Sequence, residues 1–374
     1  MKIKFSILLS VAILFYSMAN GQSKNNWYGF RDKKTNLVGF KDSKGNIRIP
    51  AIYGEFTSSS VFADIVPVYE EKTKQNYYLL KSGKKIGLDS LYVWDYTYDR
   101  ENENKIMFRD KQTDKVGFFY KDGKIVIPAV YDDALPFHNG LALVVHDGKR
   151  TCLDGSSYQD AKPCENWSWR GINALIDSHN QIIADNINVS EIQNIDWLTL
   201  KITNSIPDTT LYTSFKASTG KFYSFLNYKK EFRVWFYKNY LTDLNYQRLS
   251  ASCYKELTVE AHFKDRVRKY YSKSAFLKRY QQLMIEMMKN IKANKLEVNI
   301  FKENINDYIY NGKNFSVFYT NDGEPNNQRY PVFNVVTTYY TGNKKLDHQD
   351  QFLFIRINNS YKLIGLALQV GGDK

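Results

Sequence analysis

Between Trp27 and Ile187 the chain alternates short apolar runs with polar turns. Val38-Gly39-Phe40 is a strand-favouring run, Asp42-Ser43-Lys44-Gly45 is a turn in which glycine supplies φ > 0, and Ile47-Arg48-Ile49 repeats with period two, so both isoleucines face one side. Pro50 lacks a donor and belongs at a strand end or edge. The same grammar returns as Val116-Gly117-Phe118, Lys121-Asp122-Gly123-Lys124 and Ile125-Val126-Ile127-Pro128. Fourteen of the 24 residues from Phe30 to Tyr53 recur, without a gap, 78 positions later at Phe108 to Tyr131. Tyr53, Tyr92 and Tyr131 are evenly spaced, which divides the echo into steps of 39 residues with a worn copy at Asn76 to Tyr92. One hairpin cannot bury an apolar face alone, so neighbouring copies must stack.

Past Leu226 the period changes. Phe232, Phe236, Tyr240 and Leu244 recur at helical spacing, and Phe263, Val267, Tyr270 and Tyr271 continue it. A stronger stripe follows Ser274 at Leu277, Tyr280, Leu283, Met284, Met287, Met288 and Ile291. Strand patterns are expected at residues 296–301, 307–310, 315–319 and 332–340, then a hairpin of residues 352–357 and 361–368. The expected fold class is a β-rich array of antiparallel hairpin repeats followed by an α+β domain with long helices and an antiparallel sheet. The expected divisions are residues 1–21, 22–225 and 226–374.

The segment before the repeats has its own signature. Lys2 and Lys4 precede an uncharged run from Phe5 to Tyr16, and Ala19 and Gly21 stand at −3 and −1 of a cut before Gln22. This is the pattern of a secretory signal peptide; the apolar run is shorter than the ~20 residues a spanning helix needs. The chain is expected to be exported, to the periplasm or the medium, with its signal cleaved near Gly21-Gln22. Cys152 and Cys164, twelve apart in a loop-like segment, are then candidates for a disulfide, although spacing in sequence does not fix their Cα distance. Cys253 would remain as a small buried hydrophobe.

The stretch VGFFYKDGKIVIPAVYDDALPFHNGLALV resembles the WG (KWG) repeat of bacterial proteins. Gly117, Phe118, Gly123, Ile127, Pro128, Tyr131, Asp132, Phe137, Gly140, Leu141 and Ala142 carry the likeness, and Gly39, Phe40, Gly45, Ile49, Pro50, Tyr53 and Phe62 carry it in the first copy. The eponymous Trp is Val38 and Val116 here. The resemblance implies a binding or scaffolding module and offers no catalytic residues to carry over. The C-terminal order of helices and strands is similar to the NTF2-like (SnoaL-type) fold, which implies either a pocket or a second interaction surface.

Candidate chemistry is sparse. The five histidines form no metal-ligand spacing, and there is no GxSxG and no phosphate-cradling glycine loop. No cofactor is expected. Asp132-Asp133 reads as a pair of turn formers, and Asp347-His348-Gln349-Asp350, the densest tetrapeptide, as an exposed loop. His138 and Asn139 stand where the copies differ, which makes them a candidate partner surface. Lys264, Arg266, Arg268 and Lys269 form the densest positive patch, expected on helices. The formal charge of +13, or +11 once Lys2 and Lys4 leave, reads first as a solvated lysine-rich surface and second as one that could bind an anionic envelope polymer. Nucleic acid is not an expected partner, since no nucleic-acid motif accompanies the charge. The function expected is non-catalytic binding of a protein or an envelope polymer, glycan or anionic surface. The rival is an enzyme or small-ligand protein with its pocket in the C-terminal domain.

Overall fold

A computed structural model describes residues 26–54, 57, 61–94, 97–263, 265–320 and 325–369. The expected signal peptide lies outside them. The chain divides into two compact units at Gln181/Ile182, whereas the change of sequence texture falls near residue 225.

The first unit is built from short antiparallel strands: β1 (Trp27–Arg31), β2 (Val38–Asp42), β3 (Ile47–Tyr53), β4 (Val61–Phe62), β5 (Ile65–Glu70), β6 (Gln75–Leu80), β7 (Lys85–Ile86), β8 (Val93–Trp94), β9 (Thr97–Tyr98), β10 (Lys105–Arg109), β11 (Val116–Tyr120), β12 (Ile125–Tyr131), β13 (Asp133–Ala134), β14 (Leu141–Cys152) and β15 (Trp167–Asp177). The first seven form one sheet in the order β4-β1-β2-β3-β5-β6-β7, and β10-β11-β12 form another. β14 pairs with β13 on one side and β15 on the other.

The copies repeat in register as well as in sequence. β1 pairs with β2 from Trp27↔Asp42 to Arg31↔Val38, and β10 with β11 from Lys105↔Tyr120 to Arg109↔Val116. The turns between these strands are made alike. Asp32 Oδ1 accepts from Lys34 N, Thr35 N and Thr35 Oγ1, and Asp110 Oδ1 accepts from Gln112 N, Thr113 N and Thr113 Oγ1. Those bonds hold both carboxyls below the usual carboxylate range. The recurring glycine has a steric cause. A Cβ on Gly117 would lie 2.6 Å from Ile127 O and 2.7 Å from Ala129 N, and one on Gly39 2.7 Å from Ile49 O and 2.8 Å from Ala51 N. At both sites the next strand crosses with a bulge, so its backbone comes too close for a side chain.

Each copy has a core. Val38, Phe40, Tyr53, Phe62, Val66, Val68, Tyr77 and Leu79 fill the first, and Val116, Phe118, Ile127, Tyr131, Phe137, Ala142, Val144, Ala174 and Ile176 are in the second. Between them Ile65, Tyr78, Leu80, Leu91, Ile106, Phe108 and Phe119 stack the copies together. Tyr78 pins the seam: its hydroxyl donates to Met107 O at 2.5 Å and accepts from Tyr92 N at 2.9 Å. Asp147-Gly148 forms a bulge inside β14, with Asp147 at φ 51°.

The second unit begins with β16 (Ile182–Ala184) and α1 (Val189–Ile192) and then β17 (Lys201–Thr203), β18 (Tyr212–Lys216) and β19 (Phe222–Leu226), which form a sheet in the order β17-β19-β18. Helix α2 (Tyr228–Val234) continues as a π-helical turn, Trp235–Tyr240, and α3 (Tyr246–Ser252) follows. Strands β20 (Cys253–Phe263) and β21 (Asp265–Ser272) precede the long α4 (Lys273–Lys292). Strands β22 (Glu297–Glu303), β23 (Val332–Tyr340), β24 (Leu346–Ile357) and β25 (Ser360–Leu368) then complete a six-stranded sheet, ordered β21-β20-β25-β24-β23-β22. All its pairs are antiparallel except β20 with β25.

The stripe after Ser274 forms α4. Ser272 Oγ caps it by accepting from Ala275 N, and Phe276, Leu277, Met284, Met287, Met288 and Ile291 are buried. They join Phe232, Phe236, Tyr240, Phe333, Phe354 and Tyr361 in one core. The helical spacing read through Tyr271 is overturned, because residues 253–263 and 265–272 pair as strands β20 and β21. Leu257 and Val259 enter the core that holds α4 while Thr258 between them bonds Tyr310, the alternation of faces of a strand, and a run of β-branched and aromatic residues satisfies either period over so short a length. Residues 307–310 and 315–319, expected as strands, are turn and 3₁₀ backbone that bury Tyr310, Phe315 and Phe318.

Candidate binding site

The second copy carries a dense polar knot on the side where β10 turns into β11. Arg109, at the end of β10, donates to Asp114 O at 2.7 Å, Asp132 O at 3.2 Å and Asp133 Oδ1 at 3.2 Å. Tyr92 OH donates to the same Asp133 oxygen at 2.8 Å. Burial pushes the Asp133 carboxyl up, against the pull of Tyr92 and Arg109. Asp132, its side chain 3% exposed, accepts from Lys115 Nζ at 2.5 Å and from Gly148 N at 2.7 Å. The β14 bulge brings that N–H within reach. Asp132-Asp133 is therefore an anchoring pair on which backbone and cations converge.

Beside it, Arg150 pairs with Asp114 and lies against three aromatic rings, 5.3 Å from Tyr158, 4.7 Å from Trp167 and 5.2 Å from Trp169. Trp167 and Trp169 meet edge to face at 5.8 Å. Tyr158 is carried by the loop that the Cys152–Cys164 disulfide closes, with Cα atoms 6.0 Å apart. The second copy thus fills this position with its own guanidinium.

The first copy builds the same position differently. Arg31 donates to Asn36 O at 2.8 Å, as Arg109 does to Asp114 O. Gly54 N donates to Tyr69 O at 2.7 Å, as Asp132 N does to Val145 O at 2.8 Å. Around these shared bonds the side chains change: Asn36 stands for Asp114, Leu37 for Lys115, Gly54 for Asp132 and Tyr69 for Val145. The Tyr69 ring crosses the space above Gly54, where a Cβ would meet its Cδ1 at 2.7 Å. What remains is a cleft of about 620 Å³ lined by Thr35, Asn36, Leu37, Tyr69, Glu71, Asn76 and Tyr98, together with Gly54. Its chemistry is two phenol rings, two amides, a hydroxyl and the Glu71 carboxylate, which Lys74 Nζ pairs with.

The residues singled out from sequence fall elsewhere. His138 is half-buried and Asn139 exposed, on the turn before β14. Glu103 clamps that turn, accepting from Asn139 N at 2.5 Å and Gly140 N at 2.9 Å. His138 Nδ1 lies 3.3 Å from Asn102 Nδ2, and burial lowers the ring's pKa. Of the basic residues, Lys264 lies outside the described residues, and Arg266 is on β21 opposite His262. Arg268 pairs with Glu260 across the hairpin at 2.5 Å, and Lys269 is exposed opposite Val259. This patch is a β-hairpin and not the expected helical face. Asp347-His348-Gln349-Asp350 lies within β24 and not in a loop: His348 stacks on Tyr339 at 4.1 Å, and Asp350, 2% exposed, accepts from Gln369 N at 2.8 Å. Among the described residues no three His, Cys, Asp or Glu gather as a metal site would need, and no helix is long and apolar enough to cross a membrane.

Sequence reasoning missed both the knot and the cleft, although a signal for them was present. Aligning the copies position by position shows Asp114, Lys115 and Asp132 all losing their charge together in the first copy.

A family model of the WG containing repeat matches residues 117–149, from the bulge glycine of β11 to the residue before Arg150. No curated protein and no solved structure matches the chain, and nothing in these comparisons supports the NTF2-like likeness of the C-terminal part.

Proposed function

We propose that the chain is an exported, non-catalytic binding module, acting in the cell envelope or outside the cell, and that its first repeat copy holds the ligand. The observation that carries this reading is the paired construction of the two copies. The same backbone frame is closed by Lys115, Asp132 and Arg150 in one copy and left open as a cleft in the other. The ligand best matched by two tyrosine faces, the Asn36 and Asn76 amides and the Glu71 carboxylate is a neutral glycan chain. Apolar sugar faces pack on rings, and amides and carboxylates bond hydroxyls. An anionic polymer suits it less, because the cation at its edge, Lys74, is already paired with Glu71.

The test copies the second repeat into the first. A triple variant, Leu37→Lys, Gly54→Asp, Tyr69→Val, installs the residues found at Lys115, Asp132 and Val145. Retention on immobilised neutral envelope glycan is expected for the native chain and is expected to be lost in the variant, with thermal stability kept. A variant that is still retained would remove the cleft from the reading. A native chain retained by no envelope glycan or protein would remove the binding module itself.

The rival reading places a catalytic or small-ligand pocket in residues 226–374, on an NTF2-like frame. The packing of helices beside one mixed six-stranded sheet supports that frame, whereas the placing of β20 and β21 ahead of the long α4 counts against it. The side of the sheet that meets the helices is closed by Phe232, Phe236, Tyr240, Phe333, Phe354 and Tyr361, all buried, which favours a structural role.

A further inference from the structure

In the second unit, β18 has one partner and one open edge. Its register with β19 decides which residues face that edge. Asn227 N donates to Leu211 O at 2.8 Å and Ala217 N to Lys221 O at 2.7 Å. Leu211, Thr213, Phe215 and Ala217 therefore exchange backbone bonds with the neighbouring strand, and Tyr212, Ser214, Lys216 and Ser218 turn theirs outward. The chain itself occupies two of these four. Tyr212 N donates to Asp208 O at 2.9 Å and Tyr212 O accepts from Lys230 Nζ at 3.0 Å, while Ser218 N donates to Ile183 O at 3.1 Å. Ser214 and Lys216 are left with no backbone partner on this side among the described residues.

A cleft of about 500 Å³ lies against them, with residues 184–188 among its lining. Ile187 and Ile206 give it apolar surface. The Ser218–Ile183 bond ties one end. Glu191 ties the other, accepting from Thr213 Oγ1 at 2.7 Å and standing 3.7 Å from Lys230 Nζ.

We propose that this cleft binds a short extended peptide, which adds beside β18 by pairing its backbone with Ser214 and Lys216. Two outward residues two positions apart present donors and acceptors roughly 7 Å apart, the strand repeat that a peptide backbone reproduces. The tied ends set the length. At ~30 Å³ per water, the cleft has room for roughly sixteen waters, about the heavy-atom count of a tripeptide. One peptide side chain would rest on Ile206 and Phe215. The site stands apart from the repeat cleft and does not depend on it.

The probe is a blocked tripeptide, acetyl-Ala-Val-Ala-amide, titrated into the isotope-labelled full chain. Amide resonances of Ser214 and Lys216 shift and their hydrogen exchange slows about tenfold or more at millimolar peptide, while Thr213 and Phe215, already bonded, change little. Ser214→Pro and, separately, Lys216→Pro remove a donor that faces outward, so the sheet ladder survives and peptide affinity falls about tenfold or more. No response at Ser214 and Lys216, peptide affinity unchanged in both proline variants, or an equal response to a disaccharide would each overturn the proposal.

Discussion

At the scale of single residues, partly buried Asp99 shows how enclosure sets a charge. Its Oδ2 accepts from Met107 N at 2.7 Å, yet burial outweighs that bond and raises its pKa to about 7. The native state therefore holds this proton at pH values where the unfolded chain has released it. The stabilisation is complete below the ordinary carboxylate pKa of 3.8 and is lost as pH rises through about 7. Urea unfolding should show stability falling from about pH 4 to about pH 7 and levelling above that, with the slope flattened in Asp99→Asn, whose amide oxygen still accepts the Met107 bond. An unchanged slope would show that Asp99 does not titrate there. Nothing in the local sequence marks Asp99, because its enclosure comes from strands that meet only in the folded unit.

At the scale of elements, helix α2 is fastened to β24 and β25 by a compact polar network. Arg356 donates to both oxygens of Glu231, at 2.7 and 3.1 Å, and Tyr361 OH donates to Glu231 Oε2 at 2.7 Å. Arg356 and Glu231 side chains are 11% and 16% exposed, so removing one partner leaves a poorly hydrated charge. Glu231→Ala should destabilise by ~3 kcal/mol, the scale for breaking a buried pair. The double variant Glu231→Leu with Arg356→Met should recover part of that in the same denaturant series; a double variant no better than the single one would show that the pair is not the fastening.

How far elements were legible depends on their periodicity. The repeat hairpins were readable because period-two runs, Asx turns and bulge glycines all agree, twice. Helix α4 was readable from the stripe that begins at Leu277, of which Leu277, Met284, Met287, Met288 and Ile291 are buried. The β20–β21 hairpin was misread because Val267, Tyr270 and Tyr271 suit a strand face as well as a helix stripe, and what decides between them is the pairing of β20 with β25, about a hundred residues away. The candidate cleft was illegible for a related reason. Gly54, Tyr69 and Tyr98 are far apart in sequence, and only the comparison of copies hinted that this position differed.

For the whole molecule, the cysteines separate the two units chemically. The disulfide lies in the first unit, and Cys253, buried with its thiol pKa raised by burial to about 12, lies in the second. Closing a loop of this size contributes roughly 3 kcal/mol in the chain-entropy model. Reduction, or the pair Cys152→Ser and Cys164→Ser, should therefore speed hydrogen exchange across residues 141–177 and leave residues 273–292 unchanged. Faster exchange in both regions would mean that the disulfide's effect is not local.

The mixed sheet of the second unit sets an order of events. β25 lies between β20 and β24, and it is the last described strand of the chain. During synthesis β20 and β21 emerge early and can pair only with each other until Ser360–Leu368 has cleared the ribosome. The central seam of the sheet closes last, and the aromatic core above it stays open to water until then. The unit therefore cannot complete its sheet before β25 is made. That dependence makes β25, the last described strand, the one whose truncation the unit can least tolerate.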